Sequence, residues 1–160
     1  MNLKKTGLFI LLILIVAVGT VFAQTRIITF YAYGAGINSP TPGHAFVRFA
    51  DSGTYGFYPQ KGFFGSVGGA GVIRDDGQNI RRAWDDENGV ISDFVVTEAQ
   101  FQAAYSVYLR WARNPGTYTI GYRDCINFVY EVAEAIGLRH DSYRQNMTVW
   151  PTTAVGSIKR

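Results

Sequence analysis

Arg123-Asp124-Cys125-Ile126-Asn127-Phe128-Val129-Tyr130-Glu131-Val132-Ala133-Glu134-Ala135-Ile136-Gly137 is the stretch from which the rest of the chain is read. Cys125, Phe128, Val129, Val132 and Ile136 recur at helical spacing, so they form one apolar face that must pack on something. Asp124 is the expected N-cap and Gly137 the stop. Cys125 then becomes the first helical residue, where unsatisfied backbone N–H groups and the positive end of the helix dipole favour negative charge on sulfur. It is the only cysteine in the chain. A lone thiol fits two readings, a reactive nucleophile or a small buried hydrophobe without chemistry.

The beginning of the chain makes the thiol more notable. Lys4 and Lys5 precede an apolar run from Leu8 to Val18, followed by Gly19, Thr20 and Val21-Phe22-Ala23. That order of charge, apolar core and small residue is expected to be a signal peptide spanning 1–23, cleaved after Ala23. An uncleaved anchor is the competing reading, because Thr6 to Thr25 carries no charge over a length that spans a bilayer. An exported location, periplasmic or secreted, is oxidising, and an unpaired cysteine kept there calls for a use.

Taking 23 residues from 160 leaves 137, enough for a single domain over 24–160. The leader also removes Lys4 and Lys5, so the formal charge falls from +3 to +1 and gives no reason to expect nucleic acid as a partner. A membrane contact is expected only if the leader stays attached, and the protein is expected to be a monomer. The 10 Tyr, 11 Phe and 18 Gly suit a sheet with aromatic packing and tight turns better than a helical bundle.

From Arg26 to about Val96 short aromatic and β-branched segments alternate with Gly, Pro, Asp and Ser, which reads as strands and loops. Arg26 to Tyr33 is the expected first strand, and Pro40 and Pro42 make the following loop irregular. Ala45 to Ala50 and Thr54 to Tyr58 form a hairpin around Asp51-Ser52-Gly53. Thr97 and Gln100 make a capping box for a helix that carries Phe101, Ala104, Tyr105, Tyr108 and Ala112 on one face and stops at Asn114-Pro115-Gly116. Tyr118 to Tyr122 is expected to be a short strand leading into the Cys125 helix. The expected fold class is α+β, an antiparallel sheet packed against two or three helices.

A nucleophilic thiol needs a base, and the chain has two histidines. His44 opens a strand and can face a helix tip lying across the sheet. His140 lies beyond the far end of the Cys125 helix, roughly 20 Å away at about 1.5 Å per residue. His44 is therefore the expected base, although a strand-edge histidine can equally be a structural hydrogen-bond donor. A three-residue loop pairing Ala50 with Thr54 would put Phe46 beside Tyr58 and His44 opposite Gln60, making Gln60 the expected partner of the ring with Tyr58 on the same face. Asp75 and Asp76 are the fallback, although Arg74-Asp75-Asp76-Gly77 reads more simply as a solvated turn.

Gly43-His44-Ala45-Phe46-Val47, Tyr55-Gly56-Phe57-Tyr58-Pro59, and Asp124-Cys125-Ile126-Asn127-Phe128 opening a helix that ends Ala135-Ile136-Gly137-Leu138 together resemble the circularly permuted papain-like cysteine hydrolases. These include permuted NlpC-type cell-wall peptidases and lecithin-retinol acyltransferase-like enzymes. The resemblance covers most of residues 26 to 140. It implies Cys125 as nucleophile, His44 as base, an oxyanion hole using the Cys125 backbone N–H, and a peptide or amide substrate, with cell-wall peptidoglycan the leading expectation. The alternatives are a non-catalytic binding domain using Tyr31, Tyr33, Phe63 and Phe64, and a lipid acyltransferase held at a membrane.

Other motifs carry less. The glycine-dense run from Gly62 to Gly71 lacks the Gly-Lys-Ser/Thr of a phosphate loop and is expected to flank the cleft. Arg81-Arg82 with Trp84-Asp85-Asp86-Glu87 reads as a surface turn. Arg123 reads as a solvated side chain, with capture of a substrate carboxylate as the sharper alternative. Asn146-Met147-Thr148 fits a glycosylation pattern. No ligand spacing for a metal is present, and no cofactor is expected.

Overall fold

The computed structural model describes residues 24–34, 43–61, 68–141 and 150–160. The leader, Pro40 and Pro42, Phe63 and Phe64, and Asn146-Met147-Thr148 lie outside the described residues. Among the described residues there are five strands and four helices, in the order β1 (Thr25–Tyr33), β2 (His44–Phe49), β3 (Gly53–Pro59), β4 (Gly71–Asp75), α1 (Ile80–Asp85) after a 3-10 turn at Gly77–Asn79, β5 (Val90–Thr97), α2 (Glu98–Arg113), α3 (Cys125–Ala135) and α4 (Pro151–Gly156). The fold is α+β, with one antiparallel sheet in the order β4-β3-β2-β1-β5. No helix among the described residues is long and apolar enough to cross a membrane.

Strand alternation divides the sheet into two unlike faces. Ile28, Phe30, Ala32, Ala45, Val47, Phe49 and Phe57 point to α2 and α3 and form the main core with Phe101, Trp111, Phe128, Val129 and Val132. Phe57, Trp111 and Phe128 meet edge to face at ring separations of 4.8 and 5.5 Å. Truncating any of these aromatics costs about 3–5 kcal/mol, a large part of a typical domain stability of about 5–15 kcal/mol. On the other face Tyr31, Tyr33 and Phe46 pack with Ala83 and Ile80 of α1 and with Ile91. His44 stands on this second face, stacked on Phe46 with ring centroids 5.8 Å apart, whereas Cys125 belongs to the main core.

The helix containing Cys125 forms as expected. Cys125, Phe128, Val129, Val132 and Ile136 are all buried, and Gly137 ends the helix at φ 79°. The capping box of Thr97 and Gln100 is likewise present. Four expectations are corrected. The buried stripe of α2 is Phe101, Ala104, Val107 and Trp111, with Ala112 exposed. Tyr118 to Tyr122 is a tight turn, closed by a single bridge between Thr119 and Arg123, because the Asp124 carboxylate draws in the Gly121 N–H at 2.7 Å and Gly121 takes φ 82°. The Arg81 to Asp85 segment is helical, since Ile80 and Ala83 can bury against Tyr31, Tyr33 and Phe46 while Arg81 and Asp85 pair outside at 3.2 Å.

The fourth correction is the hairpin register. Phe49 pairs with Gly53, Arg48 with Thr54 and Phe46 with Gly56, so the loop is Ala50-Asp51-Ser52, with Asp51 at φ 61°. The partner of every β2 residue moves by two positions. Two is an even shift, so the faces are preserved. His44 comes to lie beside Tyr58, and Gln60 falls beyond it.

Candidate active site

Three elements converge on one point. Gly43, at φ 76°, turns the chain into β2, whose first residue is His44. The end of β4 delivers Asp76, and the cap of α3 delivers Cys125. His44, Asp76 and Cys125 are 5 %, 0 % and 6 % exposed, so three groups able to carry charge sit together inside the protein. Such burial is costly unless the groups satisfy one another.

They do. His44 Nε2 lies 3.1 Å from Asp76 Oδ2. The second oxygen, Oδ1, accepts from the Tyr58 hydroxyl and from Asn79 Nδ2 at 2.6 Å. Tyr58 also stacks on the imidazole with ring centroids 4.2 Å apart, so one tyrosine fixes both the ring and the acid behind it. With Nε2 occupied, Nδ1 is the nitrogen left to face Cys125, one of the groups that raise the His44 pKa. The order is Cys125, His44, Asp76, with Tyr58 and Asn79 holding the acid.

Electrostatics follow from this contact set. Burial by itself would lower the His44 pKa, but the bond to Asp76 and the bond and charge of Cys125 outweigh it and raise the value from 6.5 to about 9. Burial would raise the Asp76 pKa. The His44 bond and charge, with the Tyr58 and Asn79 bonds, reverse that and hold the carboxyl below its usual range. Tyr58 is pushed far upward by burial first and by the neighbouring Asp76 charge second, so it remains a donor. Both neighbours thus favour the protonated imidazole.

Cys125 is placed by its cap. Asp124 Oδ1 accepts from the N–H groups of Ile126 at 3.0 Å and Asn127 at 3.1 Å, while Asn127 Oδ1 accepts from the Asp124 N–H. Its other oxygen holds the Gly121 N–H. The carboxylate is thus engaged in shaping the loop and the helix start, and the capping box does not include the Cys125 N–H.

The structure brings Cys125, His44 and Tyr58 together and leaves Gln60 out. Gln60 is exposed; its N–H bonds Ala70 O and its carbonyl accepts from Arg74. Asp76 has the place expected for Gln60, and only Asp75 of that acidic pair behaves as a solvated turn residue, accepting from the Gly77 N–H. His140 is engaged elsewhere, stacked on Tyr130 at 3.7 Å and 3.0 Å from Glu134. Arg123 is half-buried and engaged within the protein: it lies over Trp111 at 3.9 Å and donates to the Pro115 and Asn114 carbonyls. Two site residues escaped sequence reading. Asn79 had no visible signal. Gly56 did, because a glycine inside an alternating strand marks a close approach, and here a Cβ would meet both Asp76 Oδ2 and His44 Nε2.

Among the described residues no group of His, Cys, Asp and Glu is arranged to hold a metal ion. Compared with models of known protein families, with curated proteins and with solved structures, the chain matches none of them.

Proposed function

We propose that this protein is an exported cysteine hydrolase of permuted papain-like type, acting on an amide through a Cys125 thioester. The observation that carries the reading is the buried order Cys125, His44, Asp76. A non-catalytic binder has no use for a carboxylate enclosed entirely behind a histidine, whereas acyl transfer requires the ring to be held in one tautomer and its charge stabilised.

The residues divide the chemistry among them. The Cys125 sulfur, its proton passed to His44, attacks the substrate carbonyl, forming a C–S bond. The Cys125 backbone N–H, at the positive end of α3, faces the oxygen that becomes negative. The C–N bond breaks as His44 Nδ1–H protonates the leaving nitrogen, which departs as an amine. The neutral ring then takes a proton from water, the resulting hydroxide attacks the thioester, and the acid product leaves with Cys125 restored. Asp76 stays ionised throughout and opposes rotation of the ring. Cell-wall peptide amides are the substrate class this reading favours, in keeping with the signal-like leader, Lys4 and Lys5 followed by an apolar run and Val21-Phe22-Ala23.

The test is direct. In the folded protein Cys125 reacts with iodoacetamide, and Cys125→Ser retains the fold while hydrolysis of peptidoglycan-type amides falls by several orders of magnitude. His44→Ala loses nearly as much, and the double variant little more, because the two act as a unit. Full biological effect in Cys125→Ser would refute the hydrolase reading.

A further inference from the structure

The second face of the sheet carries a hollow of about 310 Å3, displaced along the strands from the triad. Here β1 contributes Ile27, Thr29 and Tyr31, whereas Tyr33 is the residue paired with His44. Strand register builds the hollow row by row. Tyr31 pairs with Phe46 on one side and Ile91 on the other, Thr29 with Arg48 and Asp93, and Ile27 with Val95. Residues two apart share a face, so successive rows of one surface are apolar, polar and apolar. Ile80 and Trp84 of α1 close the hollow at its Tyr31 end.

Two properties set it apart from ordinary surface. Its apolar parts stand in water, with Trp84 68 % exposed and Ile27 47 %. Apolar side chains grouped in this way mark a contact site. Its polar row is also open to a ligand: Arg48 and Asp93 are both exposed, and neither enters an ion pair among the described residues. Thr29 lies between them, which sets their backbones about 10 Å apart across the sheet. Arg48 offers donors only, Asp93 acceptors only, and the Thr29 hydroxyl both. A concave site of this size, apolar with a few polar groups, is what a small ligand needs.

We infer that this hollow binds a neutral pyranose of a glycan chain. The site uses neither Cys125 nor His44 and stands whether or not the thiol is a nucleophile. A sugar ring has an apolar C–H face and a rim of hydroxyls, each able to donate and to accept. The C–H face suits the electron-rich face of the Trp84 indole. The rim suits a row that runs from donor to acceptor, in which the bonds to charged partners are the strong ones. One ring with a hydrogen bond of about 2.8 Å on each side matches the spacing of Arg48 and Asp93. Their charges sum to zero, so the hollow has no net attraction for an ion. A second copy of the chain is a poorer occupant, because a two-fold contact sets hollow against hollow and leaves both unfilled.

NMR titration of the isotope-labelled protein with chitotetraose and with cellotetraose, which differ in their N-acetyl groups, tests this. The Trp84 indole N–H and the Thr29, Arg48 and Asp93 amides shift saturably with at least one of the two sugars. Asp93→Asn and Arg48→Gln each weaken binding about tenfold, as expected for loss of one charge-assisted bond. Trp84→Ala weakens it at least as much. Trp150→Ala, which removes an exposed indole outside the hollow, and Cys125→Ser leave the affinity unchanged. Absence of saturable shifts with both sugars overturns the inference, as does unchanged affinity in both charge variants or an equal loss in Trp150→Ala. Shifts of the same groups caused by a glycine dipeptide and by neither sugar overturn it in favour of a zwitterionic peptide. Shifts caused by protein concentration alone overturn it in favour of a second copy. The hydrolase reading survives each of these failures, since Cys125 alkylation tests it separately.

Discussion

Gly56 leaves no room for a side chain beneath Asp76: a Cβ built on it would meet Asp76 Oδ2 and, beside it, His44 Nε2. The strand interior is glycine because the ion pair passes directly over it. Gly56→Ala must therefore push the two partners apart, combining overpacking of about 1–3 kcal/mol with a weakened buried pair. We expect a melting temperature lower by about 10 °C and iodoacetamide reactivity of Cys125 lower by at least an order of magnitude. A thermal melt and an alkylation time course check both, and unchanged reactivity would contradict the geometry.

Asp76→Asn isolates the charge from the shape. The amide can still accept from Tyr58 and Asn79, so packing survives, but the group then facing His44 Nε2 is an NH2 donor. Nε2 must be unprotonated to accept it, which leaves the proton on Nδ1 and the ring neutral. The His44 pKa falls from about 9, and the ring can no longer take the thiol proton. Activity falls by on the order of 10²–10⁴. NMR titration of the His44 ring measures the shift, and a variant that kept the raised pKa would show that Asp76 is not its cause.

The coupled pair also sets how stability varies with pH. The folded His44 pKa is raised from 6.5 to about 9, so the stabilisation it represents is fully present below 6.5 and is lost as pH rises through 9. The folded Asp76 pKa is lowered from 3.8, so its share is present above that value and is lost as pH falls through the depressed one. Denaturant unfolding of wild type and His44→Gln should show a stability gap that is widest between about pH 4 and 6.5 and closes toward pH 9. A gap that widened from pH 6.5 to 9 would reverse the sign and refute the assignment of the imidazolium.

Much of this was legible in the residues and some was not, for physical reasons. Cys125 and its helix could be read because a cap, a 3.6-residue apolar period and a terminal glycine agree with one another. His44 could be read because only two histidines exist and helix length removes one. The third group depended on strand register, which the turn decides. Asp51 at φ 61° places the loop one residue earlier than a glycine-centred reading of Asp51-Ser52-Gly53 suggests, and that displacement exchanges Gln60 for Tyr58 beside His44. Asp76 was hidden differently: β4 is five residues long, follows the glycine-dense run, and shows no strand alternation in Gly71-Val72-Ile73-Arg74-Asp75 strong enough to place what comes next. The helical nature of Arg81 to Asp85 depended on a tertiary partner, the Tyr31, Tyr33 and Phe46 cluster, that local sequence does not contain.

Asp124 governs where the thiol sits, and two substitutions separate its contributions. Its Oδ1 caps the helix through Ile126 and Asn127, and its Oδ2 ties down Gly121, all from a side chain that is 3 % exposed. Asp124→Asn keeps an acceptor oxygen for the helix but turns an NH2 toward the Gly121 N–H, so one buried donor loses its partner while the helix start is preserved. The cost is about 1–2 kcal/mol. Asp124→Ala removes the cap as well and costs about 2–3 kcal/mol in all. The order should differ for chemistry: with the α3 N-terminus still fixed, Asp124→Asn retains most of the Cys125 alkylation rate, whereas Asp124→Ala lets the first turn fray and the sulfur leave His44. Denaturant midpoints and iodoacetamide kinetics on the two variants check this, and equal alkylation by both would show that the thiol is held by the core packing of Phe128 and Val129 rather than by its cap.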